Sequence, residues 1–210
     1  MAQLFTVHPQ DPQRRLIRLA AEAMRTGGVI AYPTDSSYAL GCQLGHVDAV
    51  RRIRQIRGLK DEHFLTLVCA NLADVGRLAR LDNWQFRIVR QGTPGSYTFL
   101  LPATREVPRR LQHPRRNTVG VRVPGHAVVQ ALLEELHEPI VSSTLILPGS
   151  PVPLNDPVVI RRRLEREVDV VIDSGPCPAT PTTVVDLSQP PGTIVRLGLG
   201  DPARIGFAAA

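Results

Sequence analysis

Lysine is nearly missing: Lys60 stands alone among 25 basic residues, so the formal net charge of +6 is carried by arginine. Aromatic residues make up only 4% of the chain, too few for the stacking platforms that hold single-stranded bases. The three cysteines, Cys42, Cys69 and Cys177, are scattered and odd in number. None makes a C-x-x-C pair, so no disulfide framework or zinc site is suggested, and each is read as buried apolar filler. No run is long and apolar enough to cross a bilayer. The N-terminal MAQLFTVHPQDPQRR lacks the basic flank and apolar centre of a signal peptide, so the expected compartment is cytoplasmic, with no membrane partner. Also missing are G-x-x-x-x-G-K-[ST], a Gly-rich dinucleotide turn, G-x-S-x-G and H-E-x-x-H. The histidines, His8, His63, His113, His126 and His137 among them, show no metal-ligand spacing, and no metal-binding residue is expected. Any nucleotide bound here must be held without a P-loop.

What remains is an ordinary globular chain of 210 residues, 43% hydrophobic and 21% charged, expected to fold as one domain over 1–210. Its arginines cluster, in RRIRQIRGLK (51–60) and REVPRRLQHPRR (105–116). Planar guanidinium forks suit phosphate oxygens better than ammonium groups do, so polyanionic partners are indicated.

Periodicity gives the order of elements. Asp11-Pro12 opens a helix that buries Leu16, Leu19, Ala20, Ala23 and Met24 and stops at Gly27-Gly28. VIAY (29–32) is a short buried strand, and a second helix covers 48–57. FLTLVC (64–69) reads as strand, followed by helices over 73–81 and 83–91, the latter capped by Asp82. YTFLL (97–101) and TVGVRVP (118–124) are strands, then come a helix over 126–136 and the strand PIVSS (139–143). After a Pro/Gly-rich loop, Asp156-Pro157 opens a helix through Arg166, and VDVVID, TTVVDL and TIVRLG finish as strands. Helices alternate early and strands crowd late, which predicts an α/β fold with a twisted mixed sheet flanked by helices.

Several strands end in the same chemistry: Pro33 to Tyr38 after VIAY, Ser142-Ser143-Thr144 after PIVSS, Thr182-Thr183 opening TTVVDL. Ligands of open α/β sheets bind beyond the carboxyl ends of strands, so these hydroxyls form a candidate cup for a small polar ligand. A Ser or Thr there also commonly satisfies its own turn. Arg122, inside the VGVRVP strand, needs either a ligand or an acid such as Asp186 to answer its charge.

Taken in order, these segments are familiar. PTDSSYALG stands where a Pro-Thr-Glu-Thr-x-Tyr-Gly-Leu-Gly pattern occurs; TPGSYTFLL matches a Pro-Gly-x-x-Thr strand; VGVRVP, PTTVVDL and TIVRLG match three further motifs. Across nearly its whole length the chain resembles the YrdC-like family of threonylcarbamoyl-AMP synthases, and within it the YciO-like branch. The resemblance implies a YrdC/RibB-like single domain with a concave basic cavity over the sheet. It implies condensation of L-threonine, bicarbonate and ATP into threonylcarbamoyl-AMP with release of pyrophosphate, Mg²⁺ assisting. It also implies a link to tRNA modification through a partner complex that transfers the threonylcarbamoyl group. By position, Thr34, Tyr38, Arg122 and Thr182 would bind L-threonine, and Arg57, Thr98, Thr144 and Arg196 the nucleotide; no catalytic residue is assigned.

Two departures stand out. The family's Lys-x-Arg corresponds to Gln55-Ile56-Arg57, and its Ser-x-Asn to Thr144-Leu145-Ile146 in STLILPG. Gln55 cannot supply a point charge to a triphosphate, and Ile146 offers no side-chain hydrogen bond. Two readings follow: a synthase weakened at these positions, or a protein binding double-stranded or structured RNA, or associated with the ribosome, that keeps the fold without efficient synthesis.

Overall fold

The computed structural model describes residues 1–60, 63 and 65–208. Among them the chain forms six α-helices and one ten-stranded mixed sheet. Numbered along the chain, the strands lie in the order β1 (Gln3–Thr6), β8 (Val170–Asp173), β2 (Ile30–Tyr32), β3 (Ala39–Gln43), β7 (Ile140–Thr144), β4 (Thr66–Val68), β6 (Thr118–Arg122), β5 (Tyr97–Pro102), β9 (Thr183–Asp186) and β10 (Thr193–Arg196). The pairs β1–β8, β8–β2, β4–β6 and β5–β9 are parallel; the rest are antiparallel.

Two strands escape the sequence reading. β1 is a four-residue edge with no fully buried position, and β3 contains Gly41 and little β-branched character. Pairing on both sides, with β2 and β7, makes β3 a strand. Gly41 is required there: a Cβ would sit 2.7 Å from the Tyr32 ring and 2.9 Å from Ile140. The start of the FLTLVC strand, Phe64, lies outside the described residues.

The first helix buries Ile17, Ala20, Ala21 and Met24, whereas Leu19, expected inside, is 43% exposed and Leu16 and Ala23 are half-buried; further differences lie at the helix caps. α1 (Arg14–Arg25) begins two residues later than Asp11-Pro12 implies, and no side chain caps it. α2 (Val47–Arg57) ends in a left-handed Gly58. α3 (Leu72–Leu78) is capped by Asn71, whose side chain accepts from the Asp74 amide. α4 (Asn83–Gly92) starts at Asp82, whose own amide donates to Gln85 Oε1 at 2.7 Å. α5 spans Ala127–Leu136. α6 (Pro157–Leu164) starts where Asp156-Pro157 predicts, with Asp156 accepting from the amides of Val158 and Val159, and it stops short of Arg166.

The period-2 alternation of the strands sends side chains to two unequal cores. On one face, Leu40, Leu67, Phe99, Val121, Val141 and Val185 meet the apolar stripes of α2, α3, α4 and α6. On the other face, α1 and α5 cover Ile30, Tyr32, Ala39, Val68, Ile140 and Val170. That second core takes no residue from β5, β6, β9 or β10. Half of one sheet face is therefore left without a helix, and there Thr98, Thr118, Arg122 and Asp186 stand beside the apolar Leu100 and Val184. All three cysteines are buried and unbridged, as apolar fillers should be.

Candidate active site on the uncovered sheet face

Strand register decides which side chains meet on this open face. Val121 stands opposite Phe99 and both enter the core, so their neighbours Arg122 and Thr98 turn to the other side together. Thr98 is level with Val184, and Val184 with Arg196. One step along, Ser142, Thr66, Gly120, Leu100 and Asp186 form a second row across five strands. The result is a cavity of about 350 Å³. Ligands were expected beyond the carboxyl ends of the strands; instead the sheet itself is the cavity floor, because no helix covers this half.

Six of the eight residues proposed from the sequence line this cavity: Arg57, Thr98, Arg122, Thr144, Thr182 and Arg196. The Thr98 and Thr182 hydroxyls, 84 positions apart, are 2.9 Å from one another. Arg196 donates through Nη2 (2.9 Å) and Nε (3.2 Å) to the Thr182 carbonyl, fixing its guanidinium at the β10 edge. Arg57, on the last turn of α2, donates through Nε to Ser143 Oγ at 3.1 Å and through Nη1 to the Ile146 carbonyl. Every partner of Arg57 and Arg196 is a neutral oxygen, and among the described residues no carboxylate pairs with either. Burial, and then the like charge of Arg196, push Arg57 down to about 10.

Arg122 behaves differently. Only 7% exposed, it forms an ion pair through Nη2 with Asp35 Oδ1. The other Asp35 oxygen accepts from Ser96 Oγ and from the Gly125 amide, both at 3.3 Å. Burial lowers the Arg122 pKa while Asp35 opposes that shift, and its Nε is buried without a partner. The acid considered from the sequence, Asp186, pairs instead with Arg116 at 3.2 Å.

Thr34 and Tyr38 are not among the residues lining this cavity. The buried Thr34 hydroxyl donates to the Ser37 carbonyl at 2.6 Å and accepts from the amides of Ser36 and Ser37 at 3.2 Å, so it closes its own turn. Tyr38 belongs to the larger core, with its hydroxyl on the Gly175 carbonyl at 2.9 Å. From that loop the wall of the cavity is instead Ser37, with Ala39 of β3. Thr66 and Arg116 also line it and were not singled out in the sequence. Thr66 was detectable in principle, since Leu67 is core and its neighbours must face away. Arg116 comes from a loop that carries no such pattern.

Comparison with known proteins settles the relationship. The Sua5/YciO/YrdC family, described as "Telomere recombination", matches residues 22–198. The chain belongs to that family. It is 49% identical over 201 residues to the Escherichia coli K12 protein named "Uncharacterized protein YciO", covering 96% of this chain and 98% of that one. The crystal structure of E. coli YciO superposes with a TM-score of 0.95, spanning 98% of this chain and all of that one. A Chromobacterium violaceum protein named threonylcarbamoyl-AMP synthase is 36% identical over 137 residues, 65% of this chain and 70% of the relative. The structure of "P. abyssi Sua5 complexed with L-threonine" has a TM-score of 0.85 at 26% identity, over 93% of this chain and 57% of that one.

Within the family frame the two motif departures acquire positions. Gln55 lies on the exposed side of α2, outside the cavity lining, two residues before Arg57. Ile146 presents its main-chain oxygen to Arg57, and its side chain does not line the cavity. Neither therefore replaces a missing polar group on the cavity wall. As for membranes, no helix among the described residues is long and apolar enough to cross one.

Proposed function

We propose that this protein is a threonylcarbamoyl-AMP synthase-type enzyme, acting on L-threonine, bicarbonate and ATP. The observation that carries the reading is the pair Arg57 and Arg196. Two arginines with only neutral partners, one of them held down by the charge of the other, are an electrostatic site awaiting an anion. Beside them, Arg122 offers its charge to the carboxylate of an amino acid, and the Thr98–Thr182 hydroxyls supply neutral donors and acceptors.

In this reading the threonine amine attacks the carbon of bicarbonate, releasing water and forming a carbamate. A carbamate oxygen then attacks the α-phosphorus of ATP and pyrophosphate departs. Arg57 and Arg196 stabilise the charge that moves onto the leaving phosphates. No side chain is placed as a general base, so most of the acceleration comes from holding the reactants together. Among the described residues no group of three or more His, Cys, Asp or Glu side chains gathers as a metal site. Mg²⁺ would enter with the nucleotide and supply charge neutralisation to its phosphates; no step is routed through it.

The test is pyrophosphate release that requires both threonine and bicarbonate, measured beside a family synthase with intact Lys-x-Arg and Ser-x-Asn. Release without either substrate, or none at millimolar concentrations, refutes the synthase reading. A second reading has its own support: Arg109, Arg110, Arg115 and Arg116 are exposed along one loop next to the cavity. That density favours binding of structured RNA, including tRNA, through its phosphates. A link to tRNA modification through a threonylcarbamoyl-transferring complex belongs to the same proposal.

A further inference from the structure

The open sheet face does not end at the cavity just described. Arg116 and Asp186 line it and also line a second, adjoining compartment of about 530 Å³. The ion pair between them, Nη1 to Oδ2 at 3.2 Å, is a partition between the two. Its arginine is 60% exposed while its acid is 14% exposed, so the guanidinium is open to a solvent-borne anion while the carboxylate is held. Beyond the partition lie Thr118, Ser188 and Gln189, with Pro102, Pro190 and Pro191 as rigid walls. Gly192 closes the turn at φ +88°, where a Cβ would meet Leu187 at 2.8 Å, so the shape of this wall depends on glycine.

One group here is unexplained by folding. Thr118 is 3% exposed, and its hydroxyl oxygen is buried with no hydrogen-bond partner. A buried hydroxyl left unpaired is unfavourable, and its apolar isostere valine would suit the fold better. Next to it, Asp186 already accepts from the Ser188 amide (2.9 Å) and hydroxyl (2.6 Å) on Oδ1 and from Arg116 on Oδ2. Each carboxylate oxygen has further acceptor capacity. The compartment thus offers an exposed cation, a fixed acid, an unpaired hydroxyl and flat apolar walls. Vicinal hydroxyls on an acid and a threonine, with a phosphate on a guanidinium, are the match for that set.

We propose that this second compartment is a distinct subsite for a ribose-phosphate group, with the phosphate on Arg116 and the sugar hydroxyls on Asp186 and Thr118. It goes beyond the synthase reading, which uses only the residues of the first cavity. The group has two chemical sources, a free nucleotide or the 5′ end of an RNA.

The experiment titrates ribose 5-phosphate, 2-deoxyribose 5-phosphate and inorganic phosphate into the full chain, following amide shifts by NMR. Ribose 5-phosphate is expected to move signals of 116–118 and 186–193 and to bind at least several-fold tighter than the other two. Thr118→Val, which removes only the hydroxyl, is expected to fold normally, to weaken ribose 5-phosphate by about tenfold and to leave L-threonine binding unchanged. AMP and a 5′-phosphorylated ribotetranucleotide are then compared; tighter binding of either assigns the source and supports the subsite. Shifts confined to Arg57 and Arg196, or Thr118→Val binding as wild type does, overturns it. A wild-type chain that binds ribose 5-phosphate at 116–118 but not L-threonine would overturn the synthase reading while leaving this one standing.

Discussion

Arg122 tests how far a cavity residue also holds the fold. If it served only a ligand, removing it would leave the thermal midpoint of the free protein unchanged. The structure points elsewhere, because Arg122 is 7% exposed and paired to Asp35. Arg122→Met keeps most of the side-chain volume and removes the charge. Asp35, 19% exposed at its side chain, then retains only two 3.3 Å contacts, from Ser96 and Gly125. Stripping one partner from a buried ion pair costs about 3–5 kcal/mol, and the residual solvation of Asp35 places this case near the lower end. For a domain of this size about 2–4 °C is lost per kcal/mol, so the midpoint should fall by roughly 6–12 °C. Asp35→Asn leaves a buried guanidinium whose Nε already lacks a partner and should cost at least as much.

The assay is a double-mutant cycle read by thermal unfolding, with and without L-threonine. Asp35→Asn with Arg122→Met removes both charges, so its loss should be smaller than the sum of the singles by about 0.5–3 kcal/mol. All three variants should lose any stabilisation by threonine. An Arg122→Met midpoint within about 1 °C of wild type, with additive singles, would refute the reasoning and return Arg122 to a purely ligand-binding role.

Affinity for inorganic pyrophosphate should fall as pH rises through about 10, the value to which burial and Arg196 push Arg57 from 12.5. In that window the folded state releases the Arg57 proton before the unfolded chain does, so this group's contribution to stability rises with pH while anion binding fades; affinity that stays flat from pH 8 to 11 in folded protein contradicts the assignment. RNA binding should weaken steeply with salt and differ little between sequences, and replacing Arg109, Arg110 and Arg115 by Gln should flatten the salt slope; salt-insensitive binding to one short single strand would count against it. Gln55→Lys with Ile146→Asn, at two positions outside the cavity lining, should leave threonylcarbamoyl-AMP formation nearly unchanged; a rise of about a decade or more, the worth of one charged hydrogen bond, would show that these side chains reach the bound nucleotide.

How much of this was legible in the sequence depends on whether a contact is local. Asp156-Pro157 opens α6 and Asp82 precedes α4 because caps are written within a few residues. Leu67, Val121 and Val185 enter the core because alternation fixes the face of a strand. Strand neighbours are another matter. β7 separates β3 from β4, and β9 lies beside β5, and only that order brings Thr98 to Thr182. The crowd of hydroxyls in PTDSSY shows both outcomes: Thr34 closes its own turn, as short-range chemistry suggests, while Asp35 reaches across 87 positions to Arg122. No spacing rule encodes that second contact. The open half of the sheet was equally hidden, since it results from α1 and α5 packing together over the β8–β2–β3 side.

The electrostatics of the cavity favour arginine over lysine at one position, Arg57. Arg57 carries the combined effect of burial and a neighbouring cation and still titrates near about 10, so it remains charged at neutral pH. A lysine starts lower, near ~10.4, so the same burial and neighbouring charge would leave it a smaller margin of protonation than arginine keeps. Arginine therefore keeps its charge at 57, opposite Arg196, with the wider margin. Binding an anion relieves the strain on that charge, and by linkage raises the Arg57 pKa as it does so. Position 55 is different: it faces solvent on α2, where a lysine would keep its proton at little cost. The absence of lysine there is thus not forced by the fold.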